Sequence, residues 1–235
     1  MAKIAVIILT FNEEKNIADC IRSAAFADEV LVVDSGSTDE TLSLARSLGA
    51  RVAAHPMEGF AAQRNFALKA TEADWVFYLD ADERLTPAAG EAIRRLADNA
   101  ERFAYEICRH NIVFGQSMRY GAHRPDWSLR LYPRDAVTWE GVVHERAVVS
   151  VPVRRMPGEI LHYTYDTWAT YLTKFNRYTT LAAEKLAAEG RRAGLTSLLL
   201  HPPFTFFKMY VLKLGFLDGF LGLSLIHISE PTRRS

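Results

Sequence analysis

An excess of charge of either sign is missing from this sequence: 28 basic residues stand against 28 acidic ones, and the formal net charge is zero. That balance argues against a general nucleic-acid binder, which needs a cationic face for phosphates. Cysteine is nearly absent. Cys20 and Cys108 sit in unrelated contexts, point to neither a disulfide framework nor a zinc site, and fit a reducing compartment. No uncharged apolar run reaches the roughly 20 residues that a spanning helix needs. No Gly-x-Gly-x-x-Gly turn follows the first strand pattern and no Gly-x-x-x-x-Gly-Lys-Ser/Thr occurs, which argues against a nicotinamide-binding dehydrogenase and a P-loop hydrolase. The glycine- and arginine-rich loop of a sugar-nucleotide pyrophosphorylase is missing too. The N-terminus has no signal-peptide layout and opens directly into a strand pattern, Lys3–Leu9.

What is present is an ordinary globular composition, 49% hydrophobic and 24% charged over 235 residues, enough for one large core or slightly more. Apolar runs alternate with helical patterns. Lys3–Leu9 reads as a buried strand ending in Thr10-Phe11-Asn12-Glu13, and a helix follows with Ile17, Cys20, Ile21 and Ala24 at helical spacing. Glu29–Asp34 is a second strand. Ser37 and Glu40 have capping-box spacing, which predicts a helix from there to Leu48-Gly49. Arg51–Ala54 is a short strand and Gly59–Ala70 a helix carrying Gln63, Arg64 and Asn65.

The organising stretch is Trp75-Val76-Phe77-Tyr78-Leu79-Asp80-Ala81-Asp82-Glu83. An apolar strand runs into three carboxylates, which places Asp80, Asp82 and Glu83 on the rim of a sheet, with Asp80 and Asp82 on the same side. Close carboxylates call for something positive between them, and a divalent ion with hard oxygen ligands is one answer. The plainer alternative is a solvated turn that caps the helix starting near Thr86-Pro87. In a parallel sheet all strand carboxyl ends lie on one edge, where ligands bind. Thr10 and Asn12, Asp34, His55, and then Asp80 and Asp82 therefore converge.

After a helix reaching about Asn99, the spacing predicts strands over Phe103–Val113, Met118–Tyr120 and Ser128–Tyr132, and strand-like pieces over Val142–Val153. Tyr163–Glu189 reads as a long helix whose stripe of Trp168, Leu172, Phe175 and Tyr178/Thr179 packs in the core. From Leu195 the chain is apolar but interrupted by Lys208, Lys213 and Asp218 and broken at Pro202-Pro203. It fits an interfacial segment with aromatic and lysine anchors, or else a helical hairpin folded onto the domain. The last residues change character abruptly and read as a non-native tail. The expected organisation is an α/β half over 1–100, a mixed-sheet half over 101–165, a helical extension over 166–224 and the tail over 225–235.

Three motifs, Ile7-Ile8-Leu9-Thr10-Phe11-Asn12-Glu13, Val32-Val33-Asp34-Ser35-Gly36-Ser37-Thr38-Asp39 and Leu79-Asp80-Ala81-Asp82-Glu83, resemble the inverting glycosyltransferases of family 2. Gln63-Arg64-Asn65, Trp139–Glu145 and Gly215–Gly219 resemble the bacterial branch that adds β-linked glucose to the inner core of lipopolysaccharide. The resemblance implies a GT-A fold: an α/β, Rossmann-like, mixed but mostly parallel sheet flanked by helices, with a C-terminal helical, partly membrane-associating extension. It implies a UDP-sugar donor held by Thr10, Asn12, Glu13, Asp34, Arg64 and Asp80, and Mg²⁺ or Mn²⁺ held by Asp80, Asp82 and His162. Arg130 joins Arg64 as a candidate for the diphosphate, since guanidinium binds phosphate oxygens bidentately. Many relatives have two consecutive aspartates where this chain has Asp34-Ser35. Glu145 is the expected general base, with Glu140 as runner-up. The implied acceptor is a lipid-linked glycan, met at the inner face of the bacterial plasma membrane by a cytoplasmic, peripheral enzyme, with no nucleic-acid partner. The competing possibility is a non-catalytic membrane-surface module of the same fold that only binds nucleotide sugars.

Overall fold

A computed structural model of the chain describes residues 1–99, 101–121, 125–141, 145–190 and 194–229. The chain divides into two compact units, one of residues 1–109 and 126–162, the other of 110–125 and 163–235.

The first unit is built on a sheet. β1 (Ile4–Thr10), β2 (Glu29–Asp34), β3 (Arg51–Ala54) and β4 (Trp75–Asp80) run parallel in the order β3-β2-β1-β4. The sheet continues with β8 (Asp126–Pro133), β6 (Ala104–Val113), β11 (Val153–Tyr165) and β5 (Glu83–Leu85). β8 runs antiparallel to β4, and β5 antiparallel to β11. This is the mixed, mostly parallel sheet flanked by helices that the alternating pattern predicts. β1 and β4 are apolar on both faces because both faces are covered. On one side Ile4, Val6, Ile8, Phe77 and Leu79 pack with α1 (Ile17–Ser23), α2 (Thr41–Ser47) and α4 (Pro87–Ala97). On the other, Ala5, Ile7, Val76 and Tyr78 meet α3 (Phe60–Ala70) and the strand β9 (Val137–Glu140). Burying each aliphatic or aromatic side chain contributes about 1.5–3 kcal/mol, so these strands are the rigid base from which polar ends project.

The helix expected from Ser37 starts later. α2 begins at Thr41, and its N-cap Glu40 makes no side-chain capping bond. Ser37 is engaged elsewhere, donating its hydroxyl to Asp34 at 2.5 Å. A carboxylate acceptor wins over a capping interaction because charge-assisted hydrogen bonds are the stronger kind. β5 has no counterpart among the expected strands, and Glu83 is not on a rim: it is fully buried. Thr86 does cap α4, accepting the Ala89 N–H, with Pro87 in the first turn. β10 (Arg146–Val149) pairs with β9 as a hairpin.

In the second unit β7 (Gln116–Ser117) turns back on the end of β6. The strand expected over Met118–Tyr120 is not formed, because the N–H groups of Arg119 and Tyr120 go to the Asp218 carboxylate instead. α5 (Trp168–Ala188) starts later than expected because β11 extends to Tyr165. Its stripe is rotated: Trp168 and Leu172 are exposed, and Tyr171 is the buried residue, packed with Phe114 and Phe175. The Tyr178 side chain lies outside the described ones. α6 (Leu195–Phe207) continues through Pro202 and Pro203, which remove two backbone donors without ending the helix. A π-helical turn (Lys208–Leu212), a 3-10 turn (Gly215–Asp218) and α7 (Gly219–Ser229) follow. Residues 225–229 are the end of α7, and 230–235 lie outside the described residues. No helix among the described residues is long and apolar enough to cross a membrane.

Candidate active site

The parallel strands end level with one another. Thr10 pairs with Asp34 and Leu9 with Asp80, so the polar residues that close β1, β2 and β4 share one edge. Asp34 is buried there and organises its own turn. One carboxylate oxygen accepts the N–H groups of Gly36 and Ser37, each at 2.9 Å, and the other accepts the Ser37 hydroxyl. Gly36, at φ +101°, takes a conformation in which a side chain would be strained.

The loop after β1 is tied into the same knot. Asn12 donates its N–H to Ser37 Oγ at 2.8 Å, and its side-chain oxygen accepts the Thr38 N–H at 2.9 Å. Glu13 donates its N–H to Thr41 Oγ1 at 2.8 Å and accepts from the Asn16 side chain. Asp34, Asn12 and Glu13 are thus brought together, with these polar atoms engaged in holding two loops. Thr10 is different: its hydroxyl is buried and has no hydrogen-bond partner among the described residues. Gln63 fixes the loop after β3 by donating to the carbonyls of His55 and Pro56, at 2.8 and 3.1 Å.

Under this edge lies a buried ionic core. Glu83 accepts the Asp80 N–H at 3.0 Å, and its other oxygen takes Arg130 Nη2 at 2.7 Å. The same Nη2 reaches Asp80 Oδ2 at 3.1 Å. Arg130 Nε donates to Ser128 Oγ at 3.0 Å, and Arg109 Nη1 stands 3.6 Å from Glu83. Burial opposes the charge on Arg130, yet Glu83 and Asp80 hold it protonated, above its ordinary value. Burial raises Asp80 too, but Arg130 and Arg64 outweigh it and hold that carboxyl below the usual range. Burial pushes Glu83 upward against the pull of Arg130. Arg130, expected at the diphosphate, is therefore turned inward onto carboxylates.

Arg64 projects from α3 over the rings of Trp139 and Tyr78, 4.5 and 5.2 Å from their centroids. Its Nη2 lies 3.6 Å from Asp80 Oδ1 and 3.9 Å from Glu145 Oε1. One buried guanidinium thus links the two carboxylates. The hairpin bearing Glu145 is held to α3 by Asn65, whose amide donates to the Trp139 carbonyl at 2.8 Å and accepts the Trp139 N–H at 3.0 Å. Glu140 stands apart, exposed and paired with Arg146 at 3.4 Å. His144 lies outside the described residues.

Asp82 and His162 form a pair beside this core, with Nε2 and Oδ2 3.4 Å apart, and His162 also helps to lower the Asp80 and Glu83 carboxyls. β5 explains the approach: His162 pairs with Glu83 across the β11–β5 ladder. Two ligands at about 2.1 Å on adjacent octahedral corners lie about 3 Å apart, so this pair fits one hard divalent ion. Asp80 faces the arginines. Among the described residues no three His, Cys, Asp or Glu side chains converge as a ready metal-ligand set. The roles of Glu83, Arg109 and Asn65 were not foreseen. Two arginines in otherwise apolar strand patterns were the available signal for a buried carboxylate.

The chain that carries this strand-edge site has relatives. The family model described as glycosyl transferase family 2 matches residues 5–161, and the chain belongs to that family. It is a glycosyltransferase by that membership. It is 30% identical over 220 residues to the lipopolysaccharide core biosynthesis glycosyltransferase LpsC of Rhizobium meliloti, covering 88% of this chain and 80% of that protein. An uncharacterized glycosyltransferase of Rickettsia typhi is 30% identical over 237 residues, covering 94% of this chain and 81% of its own. Among solved structures, Staphylococcus aureus TarS in complex with UDP aligns with a TM-score of 0.45 at 26% identity. That alignment covers 56% of this chain and 47% of that chain, under half its length.

Proposed function

We propose that the chain transfers a sugar, glucose, from UDP to a lipid-linked glycan acceptor of the lipopolysaccharide-core type, inverting the anomeric carbon. The observation that carries this reading is the buried Arg64 guanidinium, which lies within 3.6 Å of Asp80 and 3.9 Å of Glu145. Glu145, the base in this reading, lies with Asp80 around that guanidinium at the strand edge where the donor would lie. In the reaction, Glu145 takes the proton of the acceptor hydroxyl. The acceptor oxygen bonds to the anomeric carbon as that carbon's bond to the β-phosphate oxygen breaks, and UDP departs.

Asp82 and His162 would hold Mg²⁺ or Mn²⁺. The ion supplies positive charge to the leaving diphosphate. Thr10, whose hydroxyl has no hydrogen-bond partner among the described residues, would be one polar group to meet the nucleotide, while Asp34, Asn12 and Glu13 shape its pocket. Residence at the inner membrane face, as a peripheral protein, follows from an acceptor that is lipid-linked.

The test is release of UDP from UDP-glucose with Mn²⁺ and acceptor. Glu145→Gln should lower turnover about 10²–10⁴-fold while UDP binding persists. Turnover retained in this variant would remove Glu145 from the role of base and bring Glu140 forward. A module that only binds would hold UDP and release none from the wild-type protein.

A further inference from the structure

The Gly215-Phe216-Leu217-Asp218-Gly219 motif takes no part in the chemistry above, yet it is tightly built. Asp218 is buried, and its two carboxylate oxygens accept the N–H groups of Arg119 at 3.0 Å and Tyr120 at 2.9 Å. Its carbonyl accepts from the Gln116 side chain at 3.0 Å. Gly121 donates its N–H to the Lys213 carbonyl at 2.9 Å. A side chain at Gly222 would collide with the Gly215 carbonyl and come within 2.8 Å of the Asp218 Cβ, so the turn closes only over glycine. These contacts latch residues 116–121 to the turn before α7.

The latch has an electrostatic consequence. Across residues 110–125 and 190–229, Asp218 is the only acidic residue in the sequence. The remaining acids of this unit's two segments up to residue 229 are Asp166, Glu184 and Glu189, flanking or within α5. With both Asp218 oxygens satisfied by backbone donors, the surface of α6, the two turns after it and the start of α7 presents no negative side chain among its described residues. Arg119, Lys208 and Lys213 are exposed there. Leu200, Leu212, Leu217 and Phe220, from the same stretch of chain, are exposed as well, the last at 80%. Large apolar side chains exposed together in one stretch of chain mark an interaction site more often than isolated ones do.

We propose that this stretch docks on a bilayer surface bearing anionic lipid headgroups through its exposed cations and apolar side chains, and that the Asp218 latch keeps its one carboxylate turned into the fold and away from that surface. A protein interface commonly has a rim of both signs. A stretch whose exposed side chains are apolar or positively charged matches the hydrocarbon boundary beneath anionic phosphates. No described helix is long and apolar enough to cross a membrane, and the contact proposed is with the surface. This deepens the lipid-linked acceptor reading and rests on it only for why a membrane is met.

The experiment is cosedimentation of the full chain with vesicles of phosphatidylcholine alone or mixed with phosphatidylglycerol, beside thermal unfolding with UDP. The proposal expects binding to the mixed vesicles that salt weakens, and little to the neutral ones. Lys208→Gln and Lys213→Gln should each reduce it about five-fold. Phe220→Ser with Leu217→Ser should abolish it while the response to UDP stays unchanged, which shows that the fold survives. Equal binding to both vesicle types would overturn the proposal. So would self-association that the Phe220→Ser change removes, since a second copy would then be the occupant. Absence of vesicle binding with an intact UDP response overturns the docking face alone and leaves the transfer reading standing.

Discussion

Arg130 holds one guanidinium nitrogen between two carboxylates, 2.7 Å from Glu83 and 3.1 Å from Asp80. The first of these is fully buried, the second opens at the strand edge. The arginine therefore fixes the orientation of the exposed carboxylate by way of the hidden one, while its Nε donates to Ser128 and its Nη1 to the Tyr78 carbonyl.

Glu83→Gln tests that relationship. Removing one partner of a buried ion pair leaves the other charge under-compensated, at about 3–5 kcal/mol for full loss of the partner. The amide still offers one oxygen, so a loss of roughly 3 kcal/mol is expected in urea unfolding. A change within the error of the measurement would show that Glu83 carries no charge in the folded protein.

The acid limb of the stability curve should report Asp80. Its carboxyl titrates below the ordinary range in the folded protein because Arg130 and Arg64 outweigh its burial. The unfolded chain then binds the proton more tightly, so the contribution is fully present above about pH 4 and is lost as pH falls from there. The stability difference between wild type and Asp80→Asn should shrink as pH is lowered through that window. A difference independent of pH would contradict the ionic clamp.

Asn65 holds the Glu145 hairpin by two hydrogen bonds to the Trp139 backbone. Asn65→Leu strands a backbone N–H and C=O, at about 1–3 kcal/mol, and loosens the hairpin. The expected outcome is a fall in turnover larger than the fall in UDP affinity, read from steady-state kinetics beside UDP titration. An equal fall in both would assign Asn65 to the nucleotide pocket instead.

Asp82 and His162 approach within 3.4 Å and suit one divalent ion. Asp82→Ala and His162→Ala should each weaken Mn²⁺-dependent UDP binding at least about ten-fold and leave metal-free binding untouched. Equal binding with and without Mn²⁺ in both variants and in wild type would reduce the pair to a structural contact.

Much of the first unit was legible because its signals are local. β2 and β3 fall at Glu29–Asp34 and Arg51–Ala54, as their apolar runs and polar ends predict. The level strand ends follow from parallel topology alone. What stayed hidden depends on partners distant in the chain. Glu83 looks like a third rim carboxylate until Arg130, 47 residues on, is placed over it. Arg119 and Tyr120 look like strand residues until Asp218, some 98 residues away, takes their N–H groups. Ser37 has capping spacing, but Asp34, three residues earlier, is the stronger acceptor. Pro202-Pro203 reads as a break because local propensity cannot show that α6 tolerates two missing donors.

The central claim is a UDP-sugar site at the edge that carries Asp80 and Asp82. Thermal unfolding with UDP, GDP, ADP and NAD, each with and without Mn²⁺, tests it most directly. A ligand at about a hundred times its dissociation constant adds roughly 2.7 kcal/mol, which for a chain of this size raises the midpoint by several degrees. A rise with UDP that requires Mn²⁺, and little or none with the other nucleotides, is the predicted result. A rise with NAD, or none with UDP at any Mn²⁺ concentration, would contradict it.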